Sequence, residues 1–200
     1  MPLDATSQNY ALNQLGSNKL LWASLHSAYS ATGTNELSGG SYARQAATWS
    51  SASGGVLSLT TTLPSFLVAS GATVEFIGFW DASTSGNFQG MFPNSAGAAP
   101  YTFSASASSN VFTAPGSSYS NGNTVVIFPT SGSTTPGGFT AGTVYYVVSA
   151  SSDTFKLSAT SGGSAITVTA DGSGIVQAIT PETFGSAGSF AVNASSITLA

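Results

Sequence analysis

Short segments of alternating apolar and polar residues, each ended by glycine, asparagine, aspartate or proline, run through most of this chain. The clearest is 72–81, where apolar side chains occupy both faces of an extended backbone, and a turn at 82–87 leads from it to a second segment at 88–92. Strand-length segments with turn signals about every 8–12 residues are typical of an all-β sandwich or small barrel. We therefore predict an all-β fold in which 72–81 is a central strand and 88–92 its hairpin partner.

The same pattern predicts further strands along the chain. They span 20–26, 42–49, 56–60, 111–113, 123–130, 143–150, 154–159, 165–169, 175–179, 189–192 and 196–199. Helical spacing is confined to a stretch near the start that holds Leu12, Leu15 and Lys19, and Gly16 interrupts it. The sequence thus predicts at most one short helix, near residues 8–18. The stretch 93–109, rich in Ala, Ser and Gly, has the composition of a linker.

The polarity of the chain comes from hydroxyl groups rather than charges. Charged residues make up 5% of the sequence, against about 25% in an ordinary soluble domain, whereas Ser, Thr and Gly fill 83 of 200 positions. Hydrophobic residues still make up 42%, so a packed core is expected. Such a surface suits a rigid module that packs against identical neighbours, because little charge has to be desolvated there.

Several classes of protein are excluded by this composition. Three basic residues cannot form the stripe that a nucleic-acid binder needs, and a chain without cysteine has no disulfide or thiolate metal site. No cofactor is expected. Neither a secretory signal nor an apolar run long enough to span a membrane is visible, so we expect synthesis in the cytoplasm without a signal peptide.

Catalytic residues are scarce. The single histidine, His26, lies in a predicted strand without a nucleophile-elbow motif, and is read as a buried, hydrogen-bonded residue. A glycosidase needs two carboxylates about 5–10 Å apart. Glu75 and Asp81 share one face of a strand but are separated by about 20 Å of extended chain. No catalytic, cofactor or metal residue is assigned.

Two segments resemble a known family. The run from Leu25-His26 through Thr32-Gly33-Thr34-Asn35-Glu36 to Ser41-Tyr42-Ala43-Arg44, followed by Gly78-Phe79-Trp80-Asp81-Ala82, resembles small tail-fibre-like minor tail proteins of tailed bacteriophages, especially those of actinobacteria. One loop departs from the family pattern, because residues 27–31 lack its acidic turn residue. The resemblance implies a structural protein of the virion.

A second resemblance concerns a β module common in phage tail proteins. It rests on Gly142-Thr143-Val144-Tyr145-Tyr146-Val147-Val148, on Asp153-Thr154-Phe155-Lys156-Leu157-Ser158 and on the later Gly162-Gly163. Here the module is inserted before the closing strands. We therefore predict a sandwich or jelly-roll-like body at 1–105 and 181–200, attached to the virion, and an inserted β module at 106–180.

The function that follows is that of a minor tail or tail-fibre-like component, in contact with other virion proteins and with copies of itself. A capsid decoration protein and a carbohydrate-binding adhesin for host polysaccharide stand as alternatives, and a glycosidase is least favoured. Neither nucleic acid nor membrane is expected as a partner. Oligomers are favoured because exposed sheet edges need covering.

Two groups of residues are singled out. A buried or interfacial Arg44 would need a carboxylate such as Glu36 or Asp81, so these three residues and Trp80 are predicted to be structural or interfacial. Host contacts are assigned to aromatic residues of the insert, since flat amphipathic rings suit sugars and inserted loops tolerate change. The candidates are Tyr119, Phe139, Tyr145 and Tyr146. Tyr145 and Tyr146 point to opposite faces of one strand, so at least one of them belongs to the core.

Overall fold

The computed structural model describes residues 3–199, which are mostly β, with 36% of the chain in strands and one short helix. The all-β prediction is confirmed. The chain forms two compact units. Unit 1 comprises the described residues up to Phe92 and from Pro181 onward, and unit 2 comprises Pro93–Thr180. Each unit has its own hydrophobic core.

The helix α1 spans Ala5–Asn18 and begins earlier than predicted, because Asp4 caps it. The Asp4 Oδ1 atom accepts a hydrogen bond from the Ser7 backbone N–H at 2.8 Å, and this bond lowers the pKa of the Asp4 carboxyl. Leu12 and Gly16 form its buried face. A β-carbon at Gly16 would lie 3.1 Å from the Trp49 β-carbon, so glycine lets the helix pack closely.

Unit 1 contains one four-stranded sheet and three short strand pairs. Its strands before the insert are β1 Trp22–His26, β2 Gln45–Ala46, β3 Val56–Ser58, β4 Phe66–Val68, β5 Thr73–Val74, β6 Phe76–Trp80 and β7 Phe88–Pro93. The four-stranded sheet has the order β2-β1-β6-β7. Strand β6 is central and entirely buried, and it pairs with β1 in the register Trp22↔Trp80. The predicted central strand and hairpin are confirmed, although the strand is divided at Glu75.

The segment that follows the insert closes unit 1. It forms β14 Glu182–Thr183, β15 Gly188–Phe190 and β16 Ser196–Thr198. These pair antiparallel with β5, β4 and β3, in that order, so the segment runs back along residues 56–74. Phe190 and Val192 thereby enter the same core as Phe66 and Val68.

Unit 2 is a closed six-stranded barrel. Its strands are β8 Tyr101–Ser106, β9 Val111–Thr113, β10 Thr124–Phe128, β11 Tyr145–Ser151, β12 Thr154–Ser158 and β13 Gly172–Ala178. They close in the order β10-β11-β12-β9-β8-β13. Asn94 and Thr180 lie at its two ends in the chain. The Asn94 side chain donates to the Thr180 carbonyl at 2.7 Å, and the Thr180 N–H donates to the Asn94 carbonyl at 2.6 Å, so the ends meet.

Two sequence-based expectations for unit 2 are wrong. Residues 101–106, read as part of a linker, form β8, which pairs with β9 and β13. Residues 165–169, read as a strand, form none, because their backbone bonds go to scattered partners such as the Asn110 side chain and the Leu157 carbonyl. The compact units accordingly divide at 92/93, whereas the expected boundary at 105/106 falls inside β8.

Among residues 3–199, no helix has both the length and the apolar character needed to cross a membrane.

Candidate functional site

Arg44 and Glu36 form an ion pair in unit 1. The Arg44 Nη2 and Nε atoms donate to the Glu36 Oε2 and Oε1 atoms at 2.7 and 2.9 Å, the fork geometry that fixes a guanidinium against a carboxylate. The two side chains are only 10% and 21% exposed. The pair therefore holds the loop after β1, which carries Glu36, against the approach to β2, which carries Arg44.

The remaining face of Arg44 holds the turn between β6 and β7. Its Nη1 atom donates to the carbonyls of Ala82 and Ser85 at 3.1 and 2.7 Å, and its Cζ atom lies 3.6 Å from the centroid of the Trp80 ring. One guanidinium thus joins three separate segments through hydrogen bonds, an ion pair and a cation–π contact. We call Glu36, Arg44 and Trp80 the arginine clamp.

Trp80 connects the clamp to the centre of the sheet. Its Nε1 atom donates to the Ser24 Oγ atom at 2.9 Å, and Phe88 packs against its ring at a centroid distance of 5.1 Å. Gly33 covers the other part of the ring, where a β-carbon would lie 2.5 Å from the Trp80 Cζ2 atom. Only glycine fits this position, which also has a φ of +80°.

A buried hydrogen-bond chain continues from Trp80 through Ser24 and His26. The Thr34 carbonyl lies 3.0 Å from the His26 Nδ1 atom, so Nδ1 carries the proton of the neutral ring, and the Nε2 atom accepts from the Ser24 hydroxyl at 2.7 Å. Burial lowers the pKa of His26, which favours this neutral form. Both side chains are 0% exposed, so no substrate reaches this serine–histidine pair.

Tyr42 links the Glu36 carboxylate of the clamp to the backbone of β1. Its hydroxyl accepts from the Leu25 N–H at 2.8 Å and donates to the Glu36 Oε1 atom at 3.3 Å. Burial raises the pKa of Tyr42 well above its usual range, so this hydroxyl keeps its proton and stays a donor to Glu36.

Asp81 has a different role from the other three predicted residues. Its carboxylate accepts from the backbone and side chain of Asn87 at 2.7 and 2.8 Å, and these bonds lower the pKa of Asp81. Asp81 therefore braces the β6–β7 turn from within, and Arg44 bonds the carbonyls of the same turn. The structure brings Glu36, Arg44 and Trp80 into direct contact, while Asp81 joins them only through the turn.

Sequence reasoning missed Ser24 and Tyr42. Ser24 faces the interior beside an adjacent apolar strand, and Tyr42 lies two residues before Arg44. The signal that could have found Ser24 is its spacing: on a strand it shares a face with His26, two residues away.

The four aromatic residues proposed for host contact do not form one exposed surface. Tyr119 and Tyr145 are 9% and 5% exposed and pack in the barrel core, against Phe155 and Phe139 respectively. Their assignment to a surface is corrected, because Tyr145 is an inward residue of β11 and Tyr119 lies in the loop after β9, where it packs into the barrel core. Burial also raises the pKa of Tyr119 to about 12. Phe139 is half-buried against the same core, and Tyr146 is half-buried on the opposite face of β11 from Tyr145.

Within the part of the chain that the structure describes, no three His, Cys, Asp or Glu side chains come together as metal ligands would.

Comparison with known proteins adds a family. Residues 3–97 match the model of a family described as the podophage GP4 fiber I protein gp80. The match covers just under half of the chain and includes every residue of the arginine clamp. This part of the chain is therefore similar to a phage fibre protein. No curated protein and no solved structure matches the chain.

The family match supports the resemblance of residues 3–97 to phage tail-fibre-like proteins. The actinobacterial host and the second resemblance, to a β module of phage tails, stay predictions.

Proposed function

We propose that this protein is a minor tail or fibre-like component on the virion surface, in which unit 1 makes the attachment to other virion proteins and to further copies of the chain. The observation that carries the proposal is the family match, which spans the part of unit 1 that precedes the insert and ends at residue 97, before the first barrel strand. What is similar to fibre proteins is therefore unit 1.

The chemistry of unit 1 supports a structural role. The two motifs that resemble tail proteins meet in the arginine clamp. The polar groups of Glu36, Arg44 and Trp80 form hydrogen bonds within unit 1. The motifs thus account for the fold of the loop 27–44.

Exposed apolar side chains support placing the attachment on unit 1. Among the described residues, the large hydrophobic side chains that are exposed are Leu3, Tyr10 and Leu67, at 56, 66 and 51%. All three belong to unit 1. Tyr10 lies on α1, which carries no charged side chain from Ala5 to Asn18, and Leu3 lies two residues before this helix begins. Uncharged apolar surface of this kind is typical of contacts between proteins.

Mass spectrometry of purified virions tests the proposal, together with immunogold labelling to locate the protein. Detection in the particle with label on the tail supports it. Label on the capsid would support the alternative of a capsid decoration protein, and absence from the particle would refute both. Measurement of the molar mass of the purified chain by light scattering tests self-association.

A pair of variants tests whether the exposed side chains of Tyr10 and Leu67 contribute to the attachment. Tyr10→Ser with Leu67→Ser should leave the protein folded but lower its copy number in virions, because both side chains are exposed and contribute little to the core. Lys19→Ser, an exposed change in the same unit, is the matched control. Equal incorporation of both variants into virions would contradict an attachment through Tyr10 and Leu67.

A further inference from the structure

Unit 2 carries two adjoining depressions beside strand β11. The first, of about 370 Å³, lies between residues 118–121 and the end of β11, and the second, of about 420 Å³, lies between Asn121, residues 147–149 and residues 161–163. Asn121 lines both and forms the ridge between them. Their volumes fall in the range of small-molecule sites.

Four serine hydroxyls around these depressions are unpaired within the described residues. Ser118, Ser120, Ser149 and Ser152 are exposed, and within residues 3–199 their hydroxyls have no hydrogen-bond partner. The neighbouring Ser117 hydroxyl is buried, at 9% exposure, and is also without a partner. The four exposed hydroxyls at the depressions are therefore available to a bound molecule.

The backbone beneath these hydroxyls is fixed. Strand β11 is bulged between Val148 and Ser151, and the Ala150 N–H that the bulge leaves unpaired donates to the Asn121 Oδ1 atom at 2.8 Å. That bond orients the Asn121 amide, so its Nδ2 group is left as a free donor. The Gly122 N–H donates to the Val147 carbonyl at 2.8 Å, which ties the same loop to β11.

Three of the serines hold an unfavourable backbone conformation. Ser118, Ser149 and Ser152 have φ values of +47°, +53° and +55°. Glycine adopts such angles without steric cost, so a glycine at each position would be easier to fold. What serine adds at these positions is a hydroxyl at the edge of a depression.

The lining of the two depressions contains no charged residue. The charged side chains of unit 2 are Asp153, Lys156 and Asp171. The Asp153 and Asp171 carboxylates accept from the backbone of Gly116 and Ala107, outside both depressions. Such a lining suits a neutral, hydroxyl-rich molecule that can donate to and accept from several hydroxyls at once.

We propose that this surface of unit 2 binds a neutral saccharide, with Asn121, Ser118, Ser149 and Ser152 as its polar contacts. The inference rests on the proposed function, because a protein on a phage tail meets the polysaccharide of the host surface. In this proposal the saccharide is recognised by hydroxyl and amide groups, and not by the aromatic residues that the sequence analysis assigned to host contact.

The test uses the full chain and an array of neutral and anionic oligosaccharides, followed by calorimetric titration of the tightest neutral binder. Binding of neutral members is expected. The triple variant Ser118→Gly, Ser149→Gly, Ser152→Gly should bind at least about tenfold more weakly, since each lost hydrogen bond costs severalfold in affinity. It should fold at least as stably, because glycine relieves the three backbone conformations.

Two further variants sharpen the test. Asn121→Asp keeps the acceptor for the Ala150 N–H but removes the Nδ2 donor, and should also weaken binding. Ser85→Gly is the matched control, because Ser85 has a φ of +54° and lies in unit 1. It should bind like the natural chain.

Three results would overturn the inference: binding of no neutral saccharide, a preference for anionic members, or unchanged affinity in the triple variant. Virion mass spectrometry separates this failure from that of the proposed function. A chain present in virions that binds no saccharide keeps its structural role and loses this site.

Discussion

Replacement of Arg44 by methionine removes the guanidinium that joins three segments of unit 1 while preserving much of the side-chain volume. The change leaves the Glu36 carboxylate, 21% exposed, with only the Tyr42 hydroxyl as partner, and leaves the Ala82 and Ser85 carbonyls without the donor that Arg44 supplied. Removing one member of a buried ion pair costs about 3–5 kcal/mol. Because water still reaches Glu36, we expect a loss of about 3 kcal/mol in the free energy of unfolding, at the low end of that range.

Tryptophan fluorescence during urea unfolding measures this loss in unit 1 alone, because Trp22, Trp49 and Trp80 all belong to that unit. With a urea dependence of about 2 kcal/mol per molar, the midpoint should fall by about 1.5 M. The midpoint rather than the amplitude is compared, since the change also alters the surroundings of Trp80. Lys19→Met, an exposed change in the same unit, should shift the free energy by less than about 0.5 kcal/mol.

A second substitution decides whether the ion pair is the cause. In the Arg44→Met background, Glu36→Gln removes an unpaired charge and should cost nothing or restore stability. In the natural chain the same Glu36→Gln should destabilise unit 1 by about 2 kcal/mol, because it takes the charged partner from Arg44. Additive effects of the two changes, or a loss below about 1 kcal/mol for Arg44→Met, would refute the role assigned to the clamp.

Three further predictions concern unit 1 and the insert. The pKa of His26 is lowered in the folded state, so the unfolded state binds more protons as the pH falls below about 6.5. The melting temperature of unit 1 should therefore decrease from pH 8 to pH 5.5. A constant melting temperature would contradict the neutral buried ring. In urea unfolding, Gly33→Ala should destabilise unit 1 far more than Gly39→Ala. Both positions have positive φ, but only Gly33 lies against Trp80. Equal losses in the free energy of unfolding would mean that the contact between Gly33 and the Trp80 ring is unimportant. Replacement of residues 95–179 by a short Gly/Ser bridge should leave a soluble, folded unit 1 by circular dichroism, and insoluble protein would show that the two units depend on one core.

The strands that sequence analysis located best are those with large alternating side chains. Segments such as 72–81 and 143–150 carry aromatic and β-branched residues, whose period of two is visible without a structure. Strand β8 was missed because its outward positions are Ser and Thr and one inward position is Ala105, which resembles linker composition. Residues 165–169 show the reverse failure, since alternation alone cannot tell whether a neighbouring strand is there to pair.

The clamp was partly predictable for a similar reason. Scarcity of charge made Arg44 conspicuous and limited its partners to a few carboxylates, of which Glu36 is the one in contact. The choice against Asp81 depends on the turn, because Asn87 lies six residues away and satisfies that carboxylate first. The burial of Tyr119 could not be read from the sequence, since it lies in a loop whose path is set by the closure of the barrel.

The pairing of β14, β15 and β16 with β5, β4 and β3 has a consequence for the order in which the protein matures during synthesis. The ribosome completes every strand of the barrel before it makes the residues that close unit 1. Unit 2 can therefore fold while unit 1 still lacks Phe190 and Val192 from its core. A nascent chain halted near residue 181 would contain all six strands of the barrel, whereas its unit 1 would still lack β14, β15 and β16. With the proposed attachment through unit 1, the attachment surface would be completed later than the barrel, after the segment that follows the insert has emerged.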